Sequence, residues 1–254
     1  MKNAVKIFAI LAVAVFAFAV QPAAAQTTVD LELLLLVDVS GSVDGSEFVL
    51  QRDGYVNAFN DASVVSAIQG GVNGKIAASL VYWSSSNQQA VAAGWTEISD
   101  ATSASAFAAA ISGFARPFSG LTAIGSALNY GGGTFANNGF DAIRQVIDVS
   151  GDGTTNDGIA SATGRANALA AGVDTINGIV IGGSASVLSH YTTDVIGGTN
   201  AFVLTAATFQ DFENSIKSKL IREIKGGVVP EPMTMSLMGS GLLGMIGFRR
   251  KKRS

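Results

Sequence analysis

The chain has 254 residues, 48% of them hydrophobic, a formal charge of −3 and no cysteine, so no disulfide braces it and thiolate chemistry is excluded. Between residues 26 and 230, nine Lys and Arg face eighteen Asp and Glu, a formal charge near −9. That balance argues against nucleic acid and against an anionic membrane surface as partners. At the N-terminus, Lys2 and Lys6 precede an apolar run from Ile7 to Val20, and Ala23-Ala24-Ala25 supplies small residues for cleavage. This is the layout of a secretory signal peptide over residues 1–25, with Gln26 the expected mature start and the Sec pathway the expected route.

The roughly 200 residues that follow suit one domain. Strand-like runs are expected at Leu31–Val37, Ile76–Tyr82, Ala90–Thr96, Gln145–Val149, Thr175–Ile181 and Ala201–Leu204. The second and third are joined by the short polar stretch Trp83–Gln89, which predicts a hairpin and makes Ala90–Thr96 an antiparallel edge strand. Helices are expected from the capping-box sequence Asp44-Gly45-Ser46-Glu47 onward, over Ala101–Phe114, Ala123–Tyr130 and Ile159–Ala171, and from Thr208. In the last of these, Phe209, Phe212, Ile216, Leu220 and Ile224 make one apolar stripe, while Lys217, Lys219, Arg222 and Lys225 suit the C-terminal end of the helix dipole. Alternation of this kind predicts a parallel sheet covered by helices on both faces, with ligands bound beyond the carboxyl ends of the strands.

Three segments are expected to meet at that edge. Asp38-Val39-Ser40-Gly41-Ser42 follows the apolar run Leu33–Val37, Thr122 sits just before a helix, and Asp152 ends the run Val146-Ile147-Asp148-Val149-Ser150-Gly151-Asp152-Gly153. Acidic and hydroxyl oxygens are the donors that hard divalent cations take. The D-x-S-x-S pattern resembles the metal-ion-dependent adhesion site of von Willebrand factor A-type domains, and the threonine and aspartate follow in matching order. The resemblance extends over roughly Val29–Lys225, and the Val-Ile-Asp-Val-Ser-Gly-Asp-Gly run looks like a bacterial branch of that superfamily without an assigned function. It implies a three-layer α/β/α doubly wound fold with a mostly parallel six-stranded sheet and one antiparallel edge strand. It also implies that Asp38, Ser40, Ser42, Thr122 and Asp152 hold a cation, Mg²⁺ first, with Mn²⁺ or Ca²⁺ as alternatives. Neutral hydroxyl ligands would leave such a cation seeking a carboxylate from a protein or polysaccharide partner.

Other motifs carry less. Asp148-x-Ser150-x-Asp152-Gly153 opens like an EF-hand loop, but Ile159 stands at the twelfth position in place of a bidentate Glu. The stretch Asp152–Gly158 reads as a turn, the lone His190 as a loop residue, Gly131-Gly132-Gly133 as a helix stop, and Trp83 and Trp95 as packing residues. Haloacid-dehalogenase phosphatases also place an Asp after the first strand, but they need a second carboxylate two residues later, where this chain has Ser40. With no G-x-S-x-G, H-E-x-x-H or P-loop, no catalytic residue is assigned and an enzyme is not expected.

The C-terminus carries a second address. Val229-Pro230-Glu231-Pro232 leads into the mostly apolar Met233–Phe248 and then Arg249-Arg250-Lys251-Lys252-Arg253. At ~1.5 Å per residue the apolar stretch reaches roughly 24 Å, short for a hydrocarbon core of about 30 Å. The terminal cations would stay cytoplasmic and leave the domain outside. This order resembles the PEP-CTERM sorting signal of Gram-negative bacteria, which implies processing by an exosortase and an initial hold on the cytoplasmic membrane through residues 233–248. The expected layout is therefore a signal peptide at 1–25, the A-type domain at 26–226 and the sorting signal at 227–254. The expected role is a surface-associated binding module. The alternative is a structural component of an exopolysaccharide or biofilm matrix whose metal only stabilises the fold.

Overall fold

The computed structural model describes residues 25–226. In chain order the elements are β1 (Thr27–Val29), β2 (Glu32–Asp38), α1 (Gly45–Asn60), α2 (Ala62–Gln69), β3 (Ile76–Trp83), β4 (Gln89–Ile98) and α3 (Ala101–Ser112). There follow α4 (Ile124–Gly132), β5 (Phe140–Ala142), β6 (Gln145–Gly151), α5 (Ser161–Ala170), β7 (Thr175–Ile181) and α6 (Ala185–His190). A π-helical turn (Tyr191–Val195), β8 (Gly197–Gly198), β9 (Val203–Ala206) and α7 (Phe212–Ile224) complete the chain. The expected signal peptide and the segment 233–248 lie outside the described residues. Among the described residues no helix is long and apolar enough to cross a membrane.

The main sheet runs β4-β3-β2-β6-β7, with β8 and β9 both pairing with β7. β2 pairs in parallel with β3 and β6, β6 with β7, and β7 with β9, whereas β4 is antiparallel to β3 at the edge. All six expected strands are present. The sheet has a seventh, the two-residue β8, and β1 and β5 form a separate two-stranded parallel pair. Both additions are too short to leave a periodicity in the sequence.

β2 is buried along its whole length, and its alternation divides the core. Leu33, Leu35 and Val37 face α1, α3 and α7 through Tyr55, Phe59, Phe107, Phe212 and Leu220. Leu34 and Leu36 face the opposite layer of α4 and α5 through Ile124, Leu128 and Ala168. A strand covered on both faces is apolar through its middle, which is why Leu33–Val37 reads as a continuous run rather than an alternating one, with Glu32 and Asp38 at its two ends. The glycines expected as a helix stop serve packing as well. A Cβ on Gly131 would meet the Leu34 and Leu36 side chains, and one on Gly132 would meet Ala168 Cα at 2.8 Å.

Two helix expectations change. The last helix begins at Phe212 instead of Thr208, because Asp211 ends a turn in which Thr208 Oγ1 donates to Asp211 Oδ2 at 2.8 Å. Lys219 does not serve the helix dipole at the surface. It is wholly buried, with Nζ 2.6 Å from both Asp148 Oδ1 and Glu223 Oε1, and Asn177 Nδ2 donates to the same Glu223 oxygen at 2.8 Å. The physical reason is that α7 lies over β6 and β7, which brings Asp148 and Asn177 beneath its Lys219–Glu223 side.

The strand order fixes where a ligand can bind. From β2 the chain moves to β3 on one side and later to β6 on the other, so the carboxyl ends of β2 and β6 flank the switch point, where crevices form in such sheets. Those ends are Asp38 and Gly151, the latter followed by Asp152.

Candidate metal centre

Asp38 closes β2, and the chain then turns through Val39–Val43 into α1. The turn is held at its far end by a complete capping box. Asp44 Oδ1 accepts from the Ser46 and Glu47 amides at 2.7 and 2.9 Å, while Glu47 Oε2 accepts from the Asp44 amide at 2.8 Å. At its near end the Ser40 amide donates to Asp38 Oδ1 at 2.7 Å. Gly41 lies against the second loop, its amide donating to Gly120 O at 2.8 Å, where a Cβ would crowd the Ser119 and Gly120 carbonyls at 3.3 Å.

The structure brings all five candidate side chains together. Thr122 Oγ1 donates to Ser40 Oγ at 3.2 Å, Ser40 Oγ lies 3.2 Å from Ser42 Oγ, and Ser42 Oγ donates to Asp152 Oδ1 at 2.7 Å. Asp38, Ser40 and Thr122 form a buried floor, and the exposed Ser42 and the half-buried Asp152 form its rim. Burial, opposed by the hydrogen bonds from Ser40, pushes the Asp38 carboxyl up to about 7. Its second oxygen, Oδ2, is buried without a hydrogen-bond partner. Among the described residues no three His, Cys, Asp or Glu side chains cluster to hold a metal. Here the donors are two carboxylates and three hydroxyls, an all-oxygen set that fits a hard divalent cation. The buried, unpartnered oxygen of Asp38 fits one too.

Several supporting residues carried no signal in the sequence. Arg116, in the loop after α3, turns its guanidinium onto the carbonyls of Val39, Ser40 and Val43, with the Ser40 contact at 2.8 Å. A lone arginine in a loop belongs to no motif, so only the folded structure reveals this clamp. Charge-assisted hydrogen bonds of this kind contribute about 1.5–3 kcal/mol. Arg116→Ala is accordingly expected to lower the denaturant-derived unfolding free energy by about that amount. A loss below about 0.5 kcal/mol, the usual surface value, would show the carbonyls to be equally well served by water. Gln51 reaches the Asp38 carbonyl from α1 at 3.2 Å. Asn156 Oδ1 accepts from the Thr122 amide at 2.8 Å and so joins the third loop to the second; Asp152–Gly158 acts here as a turn.

His190 stands at the end of α6 instead of in a loop. Its Nε2 lies 3.0 Å from Ser161 Oγ, and its Nδ1 lies 3.1 Å from Asp194 Oδ2. The order matches a nucleophile, base and acid. However, Ser161 is only 2% exposed and its hydroxyl is also 2.6 Å from Thr155 Oγ1. The chain of contacts therefore fastens the loop after Asp152 to α6. Trp83 is fully buried and Trp95 Nε1 donates to Thr134 O at 3.0 Å, as expected of packing residues. Beside the rim, a cavity of about 370 Å³ is lined by Glu47, Asp152, Ser184, Thr208 and Gln210, among others. Tyr191 is wholly buried, and burial followed by the nearby carboxylates of Asp38, Asp152 and Asp148 holds its phenol well above the usual tyrosine range.

The fold has counterparts among solved structures. Proximal thread matrix protein 1 of the mussel byssus, with a zinc-occupied metal-ion-dependent adhesion site, matches at a TM-score of 0.60 and 18% identity, over 79% of this chain and 49% of that one. The von Willebrand factor type A protein of Catenulispora acidiphila matches at 0.55 and 15%, over 77% and 43%. The pilus adhesin SpaC of Lactobacillus rhamnosus GG, in its open conformation, matches at 0.55 and 14%, over 77% and 30%. The matched region is thus less than half of each of those chains, and at these identities the likeness establishes the von Willebrand A-like fold. No curated protein matches the sequence. Residues 228–251 match the PEP-CTERM protein-sorting motif. Residues 28–228 match the family described as protein of unknown function (DUF1194), and the chain belongs to that family.

Proposed function

We propose that the protein is an exported, envelope-sorted binding module in which Asp38, Ser40, Ser42, Thr122 and Asp152 hold one divalent cation that engages a carboxylate on a protein or polysaccharide partner. One observation carries this reading. The five oxygen-bearing side chains join into a single cluster at the switch point of the sheet, with a buried floor and a more exposed rim. The floor would fix the cation, and the rim leaves its outer side to a partner. When bound, the cation supplies a positive centre for an anionic ligand. Three neutral hydroxyls compensate little of its charge. That composition favours binding over acid–base catalysis.

The address signals agree with this role. Residues 1–25 would direct export, 26–226 would form the binding domain, and 227–254 would deliver it to an exosortase, with residues 233–248 holding it meanwhile on the periplasmic side of the cytoplasmic membrane. The sorting-motif match and the adhesin and matrix proteins among the structural counterparts support an envelope or matrix setting.

The test is a calorimetric titration of Mg²⁺ and Mn²⁺ into the chain from Gln26 onward, wild type beside Asp38→Ala. One-site saturation that disappears in Asp38→Ala is the expected result. Binding should strengthen with pH up to about 7, because the cation displaces the proton that the buried Asp38 carboxyl retains below that pH. Absence of saturation in the wild type would sink the metal-dependent reading. Saturation together with an Asp38→Ala variant that melts far below metal-loaded wild type, and unchanged partner capture, would move the protein to the matrix role with a structural cation.

A further inference from the structure

Two buried polar atoms beside the candidate centre lack hydrogen-bond partners, and they face the same point. They are Asp38 Oδ2 and Tyr191 Oη. A Cβ built on Gly151 would stand 2.9 Å from the first and 2.6 Å from the second. Leaving a buried hydroxyl or carboxylate oxygen unpaired costs about 1–3 kcal/mol each, so two such atoms converging on one glycine call for a common explanation.

The approach of Tyr191 is built into the fold. The residue opens the π-helical turn Tyr191–Val195, a geometry often found at functional sites. Its ring lies against the backbone of β7, where a Cβ on Gly178 would come within 2.8 Å of Tyr191 Cδ1. The preceding residue, His190, is tied to both Ser161 and Asp194. The ring is fully enclosed beside Gly151. On the other side, Asp38 is fixed through Oδ1 by the Ser40 amide, so its Oδ2 points inward to the same place.

We infer that Tyr191 is a positioning residue of the cation site: its hydroxyl donates to Asp38 Oδ2 through one water seated over Gly151 and holds that carboxylate in the orientation that serves the cation. This rests on the reading that Asp38 and its neighbours bind a divalent cation. A neutral donor behind a carboxylate orients it without competing for the cation, and losing such an outer partner commonly costs 10–100-fold in metal affinity. It also accounts for Gly151, since any side chain there would occupy the space between the two groups.

The experiment compares wild type, Tyr191→Phe and Asp38→Ala, each as the chain from Gln26 onward, by Mg²⁺ calorimetry and by thermal unfolding in chelator. The expected result for Tyr191→Phe is a Kd for Mg²⁺ weakened about 10–100-fold, with the Tm in chelator close to that of wild type. Phenylalanine keeps the buried ring, so the packing that carries the fold is retained and only the link from the hydroxyl to Asp38 is lost. A ring that merely fills space would behave otherwise. An unchanged Kd overturns the inference, and so does a weaker Kd accompanied by a lower Tm in chelator, which would report lost packing. Failure of the underlying reading looks different: wild type and Asp38→Ala would then both fail to saturate. If wild type saturates, Asp38→Ala does not, and Tyr191→Phe equals wild type, the cation site stands and only the role of Tyr191 falls.

Discussion

Lys219→Ala is expected to lower the unfolding free energy by about 3–5 kcal/mol near neutral pH, the range for breaking a buried ion pair from one side. Among the described residues, Lys219 Nζ is the only cation in contact with the Asp148 and Glu223 carboxylates, both of which are fully buried. Removing it leaves two acids in a site where Asp148 Oδ2 and Glu223 Oε2 already lack partners. The loss should depend on pH, because acid can neutralise the stranded carboxylates by protonation. Urea unfolding of wild type and variant at about pH 5 and about pH 8 checks this, with the larger loss expected at the higher pH. Equal losses at both values would show that the variant suffers only from the cavity left by the lysine stem, and the electrostatic account would fail.

The second large effect is the pH dependence of the native fold itself. Burial, then the neighbouring Asp148 carboxylate, pushes Glu223 up to about 7, with Lys219 and Asn177 opposing the rise. Asp148 is raised as well, again by burial, with Lys219 and a hydrogen bond involving Glu223 opposing it. With one lysine between two carboxylates, the buried cluster is neutral only while one proton remains on the acids. The sign follows from comparing the two states. An unfolded glutamate releases its proton near its ordinary value of about 4.5, while the folded one keeps it to about 7. Across that window the native state binds more protons, so its stability is greatest below the window and falls as pH rises through it. Glu223→Gln keeps the shape, and its amide can still donate or accept, but it cannot ionise. Its melting temperature should therefore decline less than that of wild type between about pH 5 and about pH 8. Some decline should persist in metal-free protein, because Asp38 is raised in the same direction. Parallel curves for wild type and Glu223→Gln would remove Glu223 from the explanation.

These two effects lie where the linear pattern is least informative. Charged residues in the last turns of a helix are normally solvated and complement its dipole, and the stripe Phe212, Ile216, Leu220 assigns Lys219 to a flank. What places it inside is the contact of α7 with β6 and β7, which brings Asp148 and Asn177 beneath it. Arg116 and Tyr191 escape notice for a related reason. Each acts alone from a loop or an irregular turn, on atoms far away in sequence, so no spacing announces them. Helix α2 and the β1–β5 pair are missed because they are short: Val64, Val65, Ala67 and Ile68 of α2 recur at helical spacing, but only over its eight residues, and β1 and β5 have three residues each.

The candidate centre was far more legible, because its chemistry is carried by residues adjacent in sequence or placed at the ends of strongly apolar strands. Asp38 ends β2, Ser40 and Ser42 follow within four positions, and Asp152 follows β6 directly. By itself the sequence determined the order of the six main strands and of α1, α3, α4, α5 and α7, the antiparallel edge at β4, the capping box at Asp44 and the set of oxygen-bearing residues at one sheet edge. All of these are local, since they depend on periodicity, turn chemistry and short spacings that any part of the chain expresses without its distant neighbours. Only the tertiary structure decided that Asp38 is sealed from solvent while Ser42 is exposed and Asp152 half-buried, that Arg116 clamps the first loop, that Tyr191 backs Asp38 across Gly151, and that a lysine lies between two buried acids. Burial and the pairing of unlike charges are properties of the folded interior. They arise from which surfaces exclude water together, and a linear pattern carries that information only where the meeting segments are themselves adjacent.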